Sequence, residues 1–257
     1  MTNPFTQRAS FRGRSLWLFV LPASLLAGLL ALPLAALLWR AILSGALSQV
    51  ASPTALSALR LSVLTATLST LLALLSGTPL AYALARWPLR GRHWLDLLVD
   101  LPVVLPPSVA GLALLMAFGR SGALGGALGA VGVSVPFTTA AVILAQTFVA
   151  APFFIRAARI GFAAVDIHLE EAAYTEGANP WQLFRHVMLP LSGRALASGL
   201  VLCWTRALGE FGATMMVFGW QPNRVTLPVM VWAEYERGEL AAATSAVIAL
   251  GVVSCPS

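Results

Sequence analysis

The residues of this chain that could do chemistry are few, and they form no catalytic or metal-binding pattern. His168 and Glu171 stand in the order H-x-x-E without a second histidine, so the H-E-x-x-H pattern of zinc hydrolases is absent. Cys203 and Cys255 lack the spacing of metal ligands. The sequence contains no lysine, which excludes a nucleotide-binding P-loop. We therefore expect no enzyme activity and no cofactor or metal ion on this chain.

Two opposite charges lie close together inside an otherwise apolar segment. Arg206 and Glu210 are four residues apart, so on a helix they share one face and can pair. Charges at membrane depth are costly and usually face the interior of a helix bundle or a watery cavity. One interpretation is a pair that lines a path for an anion, with Arg206 neutralising Glu210. The alternatives are a buried structural pair and two charges near the interface.

A second group of charges stands near the beginning of another apolar segment. Asp96 and Asp100 are also four residues apart, but no histidine or third carboxylate is suitably spaced for a metal site. We predict that they are interfacial charges neutralised by Arg90 and Arg92, rather than a proton relay.

The composition requires a membrane environment for the elements that carry these residues. Of the 257 residues 58% are hydrophobic and 10% are charged, and the mean hydropathy is +0.83. Membrane-spanning helices of about 20 residues account for this excess of apolar residues. We predict an all-α membrane protein with six transmembrane helices. The six apolar segments are residues 15–39, 56–87, 94–118, 137–162, 195–218 and 240–257.

The arginines give the predicted orientation. Ten arginines fall on one side of the six segments and four on the other, and cytoplasmic loops are the arginine-rich ones. Both termini are therefore predicted to be cytoplasmic, with residues 1–14 as a tail and 15–257 as a single transmembrane domain. The first apolar segment is too long for a signal peptide, so we expect a retained helix. Arginines that flank separate segments do not form the basic surface of a nucleic-acid-binding protein.

A polar stretch between the fourth and fifth segments carries a spaced motif. Residues 163–194, here called the motif segment, contain EAA-x3-G-x9-V-x-L-P. We predict two short helices, because Asp166 can cap the first one and Gly177 can end it. Asn179 and Pro180 are typical of the beginning of the second helix, and Pro190 is expected to close it. An amphipathic loop lying on the membrane surface is the alternative interpretation.

The motif resembles the coupling loop of permease subunits of bacterial ATP-binding-cassette (ABC) importers. The resemblance implies the type I permease fold in the bacterial cytoplasmic membrane, with membrane lipid around it. It also implies a homodimer with two cytoplasmic ATPases, which bind ATP and magnesium, and an extracytoplasmic oxyanion-binding protein. The residues that it assigns to coupling are Glu171, Ala172, Ala173, Gly177, Val187, Leu189 and Pro190.

Two further stretches resemble the oxyanion branch of these permeases. They are LPVVLPPSVAG, residues 101–111, and RALGEFGAT, residues 206–214, followed by Thr226-Leu227-Pro228. The resemblance is greatest to molybdate permeases, with sulfate and tungstate permeases as alternatives. Prolines inside a span break its hydrogen-bond ladder and free carbonyls that need a partner. Candidates for the translocation path are Pro106, Pro107, Arg206 and Glu210.

An ion-gradient-driven secondary transporter is the main rival, and it leaves the motif segment unexplained. The sixth segment departs from the family pattern, because it is short and is followed by no basic residue. Family members continue through a full helix and a cytoplasmic tail, so we expect a truncation or a frameshift here.

Overall fold

The computed structural model describes residues 16–43, 52–221 and 224–254, and within these ranges the secondary structure is helical. The predicted tail, residues 1–14, and the end of the chain with Cys255 lie outside the described residues. The helices are α1 (Leu16–Leu43), α2 (Pro53–Arg86), α3 (Arg92–Val104), α4 (Pro107–Phe118), α5 (Gly125–Ala130), α6 (Thr139–Ala163), α7 (Ile167–Thr175), α8 (Pro180–Leu183), α9 (Leu189–Leu208), α10 (Gly212–Phe218), α11 (Leu227–Glu236) and α12 (Leu240–Ser254). A π-helical turn, Phe184–Met188, joins α8 to α9.

In the described part of the chain, four helical stretches are long and apolar enough to cross a membrane. They are Leu18–Leu43, Pro53–Arg86, Thr139–Ala163 and Pro180–Leu208, and the bent pair α3–α4 would be a fifth span. The apolar helix α12 has 15 residues, fewer than the roughly 20 that a span needs. The all-α membrane class is confirmed, while the count of six spans and the cytoplasmic termini stay predictions.

Helices α2, α6 and α9 pack together into the main core. Helices α6 and α9 approach each other closely because glycines lie where they meet. A Cβ atom built on Gly161 would lie 2.5 Å from the Cβ of Ala195, and one on Gly199 would lie 2.8 Å from the Cβ of Ala157. Small residues permit such contacts in membranes, where helices associate by van der Waals packing.

Gly161→Ala is expected to destabilise the folded protein by about 1–3 kcal/mol, the usual cost of overpacking a tight contact. The matched control is Gly193→Ala on α9, because a Cβ atom there meets nothing within 4 Å. Thermal unfolding of the two variants in detergent measures the difference. Equal midpoints for both variants would contradict the tight contact.

Two of the predicted spans are broken in the structure. The third predicted segment, 94–118, consists of two helices, α3 and α4, and the chain bends by 120° between them. Pro106 and Pro107 lie at this corner, where the missing amide hydrogens cannot continue a helix. The fifth predicted segment, 195–218, begins too late, because helix begins at Pro180, and it is interrupted after Leu208 before α10 continues to Phe218. Apolarity alone does not reveal this second break.

The segments between α4 and α6 and between α10 and α12 also contain short helices. Residues 121–136 include the short helix α5. Residues 219–239 include α11, whose residues Leu227, Val229, Met230 and Ala233 are buried. The backbone amide of Leu227 donates to the hydroxyl of Ser62 on α2 at 2.7 Å. The apolar residues of α11 form a run too short to span a membrane but long enough to pack against the core.

Candidate functional site

The local structure of the motif segment is as predicted at its caps. The Asp166 carboxylate accepts the backbone N–H of His168 at 3.0 Å and caps α7. Asn179 caps α8 and forms a reciprocal capping box with Gln182: Asn179 Oδ1 accepts the Gln182 amide at 2.9 Å, and Gln182 Oε1 accepts the Asn179 amide at 2.8 Å. Pro180 stands in the first turn, where its missing N–H costs nothing.

Gly177 ends α7 in the predicted left-handed conformation, with φ at +84°. The backbone amide of Ala178 donates to the Ala173 carbonyl at 2.9 Å, and that of Gly177 donates to Tyr174 at 3.0 Å. This pair of bonds is a Schellman motif, which satisfies the last carbonyls of a helix and reverses the chain. A Cβ atom on Gly177 would meet nothing within 4 Å, so the outer side of the turn is open.

Pro190 does not close the second helix, contrary to the prediction. Helical structure continues from Pro180 to Leu208 through the π-helical turn. The Leu189 amide donates to the carbonyl of Phe184, five residues earlier. Proline has no N–H to donate and its ring clashes with the carbonyl four residues before it, and the widened turn accommodates both effects.

The motif residues differ in exposure in a way that separates two faces. Glu171, Ala172 and Gly177 are exposed, and Ala173 is half-buried. The Glu171 side chain is 67% exposed, and its contact within the chain is His168 Nδ1 at 3.2 Å. Around them lie exposed apolar side chains, which are Ile167, Leu169, Tyr174 and Trp181. The first half of the motif therefore forms an outward surface of small and apolar residues that also carries the exposed carboxylates of Glu171 and Glu176.

The second half of the motif faces inward instead. Val187 and Leu189 are half-buried and pack against the main core, Met188 between them is fully buried, and Pro190 is exposed. This half joins the outward surface to the packed helices.

One important residue of the segment was not predicted from the sequence. Glu170 is the buried residue of α7, and its Oε1 lies 2.9 Å from Nε of Arg86 at the end of α2. The motif directs attention to the neighbouring Glu171, and no spacing rule connects positions 84 residues apart. The available signal is an arginine in the last turn of a span, which by itself indicates only orientation.

The candidate path residues come together at the two helix breaks. A Cβ atom on Gly212, at the beginning of α10, would lie 2.8 Å from the Cβ of Pro107. The corner at Pro106 and Pro107 therefore contacts the break that contains Glu210. The Glu210 side chain is 1% exposed, with one carboxylate oxygen 2.6 Å from Arg206 Nη1 and the other accepting the Ala213 amide at 2.9 Å.

The acidic pair on α3 is neutralised, but mainly by partners other than the predicted ones. Arg159 and Arg156 on α6 pair with Asp96 and Asp100, at 2.5 Å and 2.8 Å. Arg92 lies 3.8 Å from Asp96, a weaker contact. The prediction used arginines near in sequence, whereas packing brings α6 alongside α3. Among the described residues, no group of three His, Cys, Asp or Glu side chains could hold a metal ion.

Comparison with proteins of known sequence gives relatives over most of the chain. A probable molybdenum ABC transporter permease protein of Haloferax volcanii is 42% identical over 217 residues, which are 82% of this chain and 77% of the relative. The molybdenum transport system permease protein of Mycobacterium tuberculosis is 41% identical over 221 residues, 85% of this chain and 83% of the relative. A probable sulfate transport system permease protein of Chlorokybus atmophyticus is 34% identical over 232 residues, 89% and 81% of the two chains.

Solved structures share the fold. A bacterial ABC transporter involved in the import of the acidic polysaccharide alginate matches with a TM-score of 0.74 at 19% identity, over 95% of this chain and 92% of that chain. The family model described as "binding-protein-dependent transport system inner membrane component" matches residues 77–256, including the whole motif segment. This chain is therefore a multi-pass membrane protein that belongs to the family of inner membrane components of binding-protein-dependent transport systems.

Proposed function

We propose that this chain is the permease subunit of an ABC importer that moves molybdate across the cytoplasmic membrane. The observation that carries the proposal is the 42% identity, over 82% of the chain, to a probable molybdenum ABC transporter permease protein. Tungstate is a second candidate, because a molybdate/tungstate permease protein of Thermococcus kodakarensis is 36% identical over 208 residues. Sulfate is a third, since a probable sulfate permease protein of Chlorella vulgaris is 40% identical over 171 residues.

The motif segment would be the contact with a separate ATPase subunit that binds ATP and magnesium. Its outward surface supports this role, because small residues and a turn with open space outside let another protein approach closely. Glu171 offers a charge that is little used within the chain. Two copies of the chain, each with one ATPase, would enclose the path, and an extracytoplasmic binding protein would deliver the anion.

The two helix breaks would lie along the path of the anion. Broken helices at membrane depth are tolerated where they are buried in protein or line a cavity. The contact between Pro107 and Gly212 brings both breaks to one place. Pro106, Pro107, Arg206 and Glu210 therefore stay our candidates for the path. Since Glu210 is buried and paired, it would act through the position of Arg206 and of α10 rather than by touching the anion.

Uptake of radiolabelled molybdate into proteoliposomes that contain this chain, its ATPase and its binding protein tests the proposal. We expect uptake that requires internal ATP and is reduced by excess unlabelled tungstate more than by excess sulfate. The control omits the ATPase subunit, because a secondary transporter would still respond to an ion gradient. Uptake without the ATPase would overturn the importer, and competition by sulfate alone would move the substrate to the sulfate branch.

A further inference from the structure

The last turn of α2 holds both parts of the motif segment from outside that segment. Tyr82 and Arg86 are four residues apart on α2, so they lie on the same face of the helix. Arg86 contacts the first helix of the motif segment, and Tyr82 contacts the π-helical turn that follows the second. Neither residue belongs to the motif, and the chain itself joins the segment only to α6 and α9.

Arg86 fixes the beginning and the first turn of α7 with one guanidinium group. Its Nε lies 2.9 Å from Glu170 Oε1, and its Nη2 donates to the backbone carbonyl of Val165 at 2.5 Å. The side chains of Arg86 and Glu170 are only 14% and 11% exposed. The hydrogen bond from Nη2 to Val165 fixes direction, whereas the contact of Nε with Glu170 is a close charge pair whose two atoms are not aligned as a hydrogen bond.

Tyr82 fixes the second part through its ring. Its ring centroid lies 5.1 Å from that of Phe184 and 5.5 Å from that of Phe162, at interplanar angles of 65° and 80°. These are edge-to-face contacts, the preferred geometry for aromatic pairs. Phe162 is fully buried near the end of α6. The three rings therefore join α2, α6 and the π-helical turn into one packed cluster.

We propose that Tyr82 and Arg86 are positioning residues that pass the movement of the motif segment to α2. This inference rests on the proposed function, since it requires an ATPase that moves the segment. Without these two residues, movement of the segment would reach α2 only indirectly, through α6 and α9 and their packing against α2. With them, all three helices of the main core move together, because α2 is held at its last turn by both contacts.

The test compares coupling in reconstituted transporters that contain this chain, its ATPase and its binding protein. The readouts are anions imported per ATP hydrolysed, the amount of ATPase that copurifies, and amide hydrogen exchange in α7. For Arg86→Gln we expect the import-to-hydrolysis ratio to fall by about tenfold or more, because removing one partner of a buried ion pair costs more than the free energy that corresponds to a tenfold change. For Tyr82→Ala we expect a similar fall, because two edge-to-face ring contacts are lost. Exchange in α7 should rise for Arg86→Gln, while the amount of bound ATPase stays as in the wild type.

Matched controls separate this role from general damage. Tyr82→Phe keeps the ring and should keep normal coupling. Arg156→Gln removes an arginine that pairs with Asp100 on α3 at 2.8 Å, and it should also keep normal coupling. Exchanging the charges, Arg86→Glu with Glu170→Arg, should recover part of the ratio lost in Arg86→Gln.

The outcomes distinguish the inference from the function on which it rests. A wild-type protein that imports no anion at the expense of ATP overturns the proposed function. If the wild-type protein imports the anion with ATP hydrolysis, and Arg86→Gln and Tyr82→Ala leave the import-to-hydrolysis ratio unchanged, the inference is overturned. If Arg86→Gln fails to assemble, Tyr82→Ala decides the matter, and failure of both to assemble shows that the residues serve folding, which also overturns it.

Discussion

Gly177→Asp is expected to reduce ATP-dependent molybdate uptake by about tenfold or more, the equivalent of about 1.4 kcal/mol of lost coupling. The residue ends α7 with φ at +84°, and space outside the turn is open. Aspartate tolerates this left-handed conformation better than most residues, so the fold itself should survive. The loss should come from a side chain placed between this surface and the ATPase. Uptake and copurified ATPase are measured in the same membranes.

Gly177→Ala distinguishes a docking effect from a backbone effect. Alanine strains the left-handed backbone more than aspartate does, but adds only one methyl group. If the surface binds the ATPase, uptake should fall in the order glycine, alanine, aspartate. If only the turn matters, alanine should be worse than aspartate. That reversed order, with the permease present in the membrane, would contradict the proposed docking surface.

The capped turns of the motif segment could be predicted because their chemistry is local. Asp166, Asn179 and Gly177 each act within three residues along the chain, so the residue types determine the structure. The error at Pro190 has a different origin. The π-helical turn depends on the bond from the Leu189 amide to the carbonyl of Phe184, five residues earlier, and on packing of Met188 in the core. Neither feature is recognisable in the sequence as a turn signal.

The arrangement of the helix breaks and ion pairs could not be predicted, because it depends on packing between distant segments. The three prolines predict an interrupted backbone hydrogen-bond ladder in this span. The 120° bend between α3 and α4 also depends on the close packing of α4 against α10 at Gly111 and Gly212. The break at residues 209–211 carries only Gly209 and the charge of Glu210 as signals. Likewise, Arg86 in the sequence indicates only orientation, since only the fold shows that Glu170 lies beside it.

Arg206→Ala is expected to destabilise the protein by about 3–5 kcal/mol, because it leaves a buried carboxylate without its cation. Glu210 is 1% exposed, so water cannot replace the lost partner. Glu210→Gln should cost less, since the amide oxygen can still accept the Ala213 N–H and Arg206, at 29% exposure, can reach water. Thermal unfolding midpoints of the purified variants in detergent measure the order.

The double variant, Arg206→Ala with Glu210→Gln, decides between the two interpretations of this pair. It removes the stranded charge, so it should be more stable than Arg206→Ala alone. The coupling energy of the two residues is the stability change of the double variant minus the sum of the changes in Arg206→Ala and Glu210→Gln. If uptake recovers with stability, the pair is structural and holds the beginning of α10 in place. If stability recovers while uptake does not, Arg206 acts on the anion itself. A double variant no more stable than Arg206→Ala would contradict the ion pair, because the buried carboxylate would then not be the source of the damage.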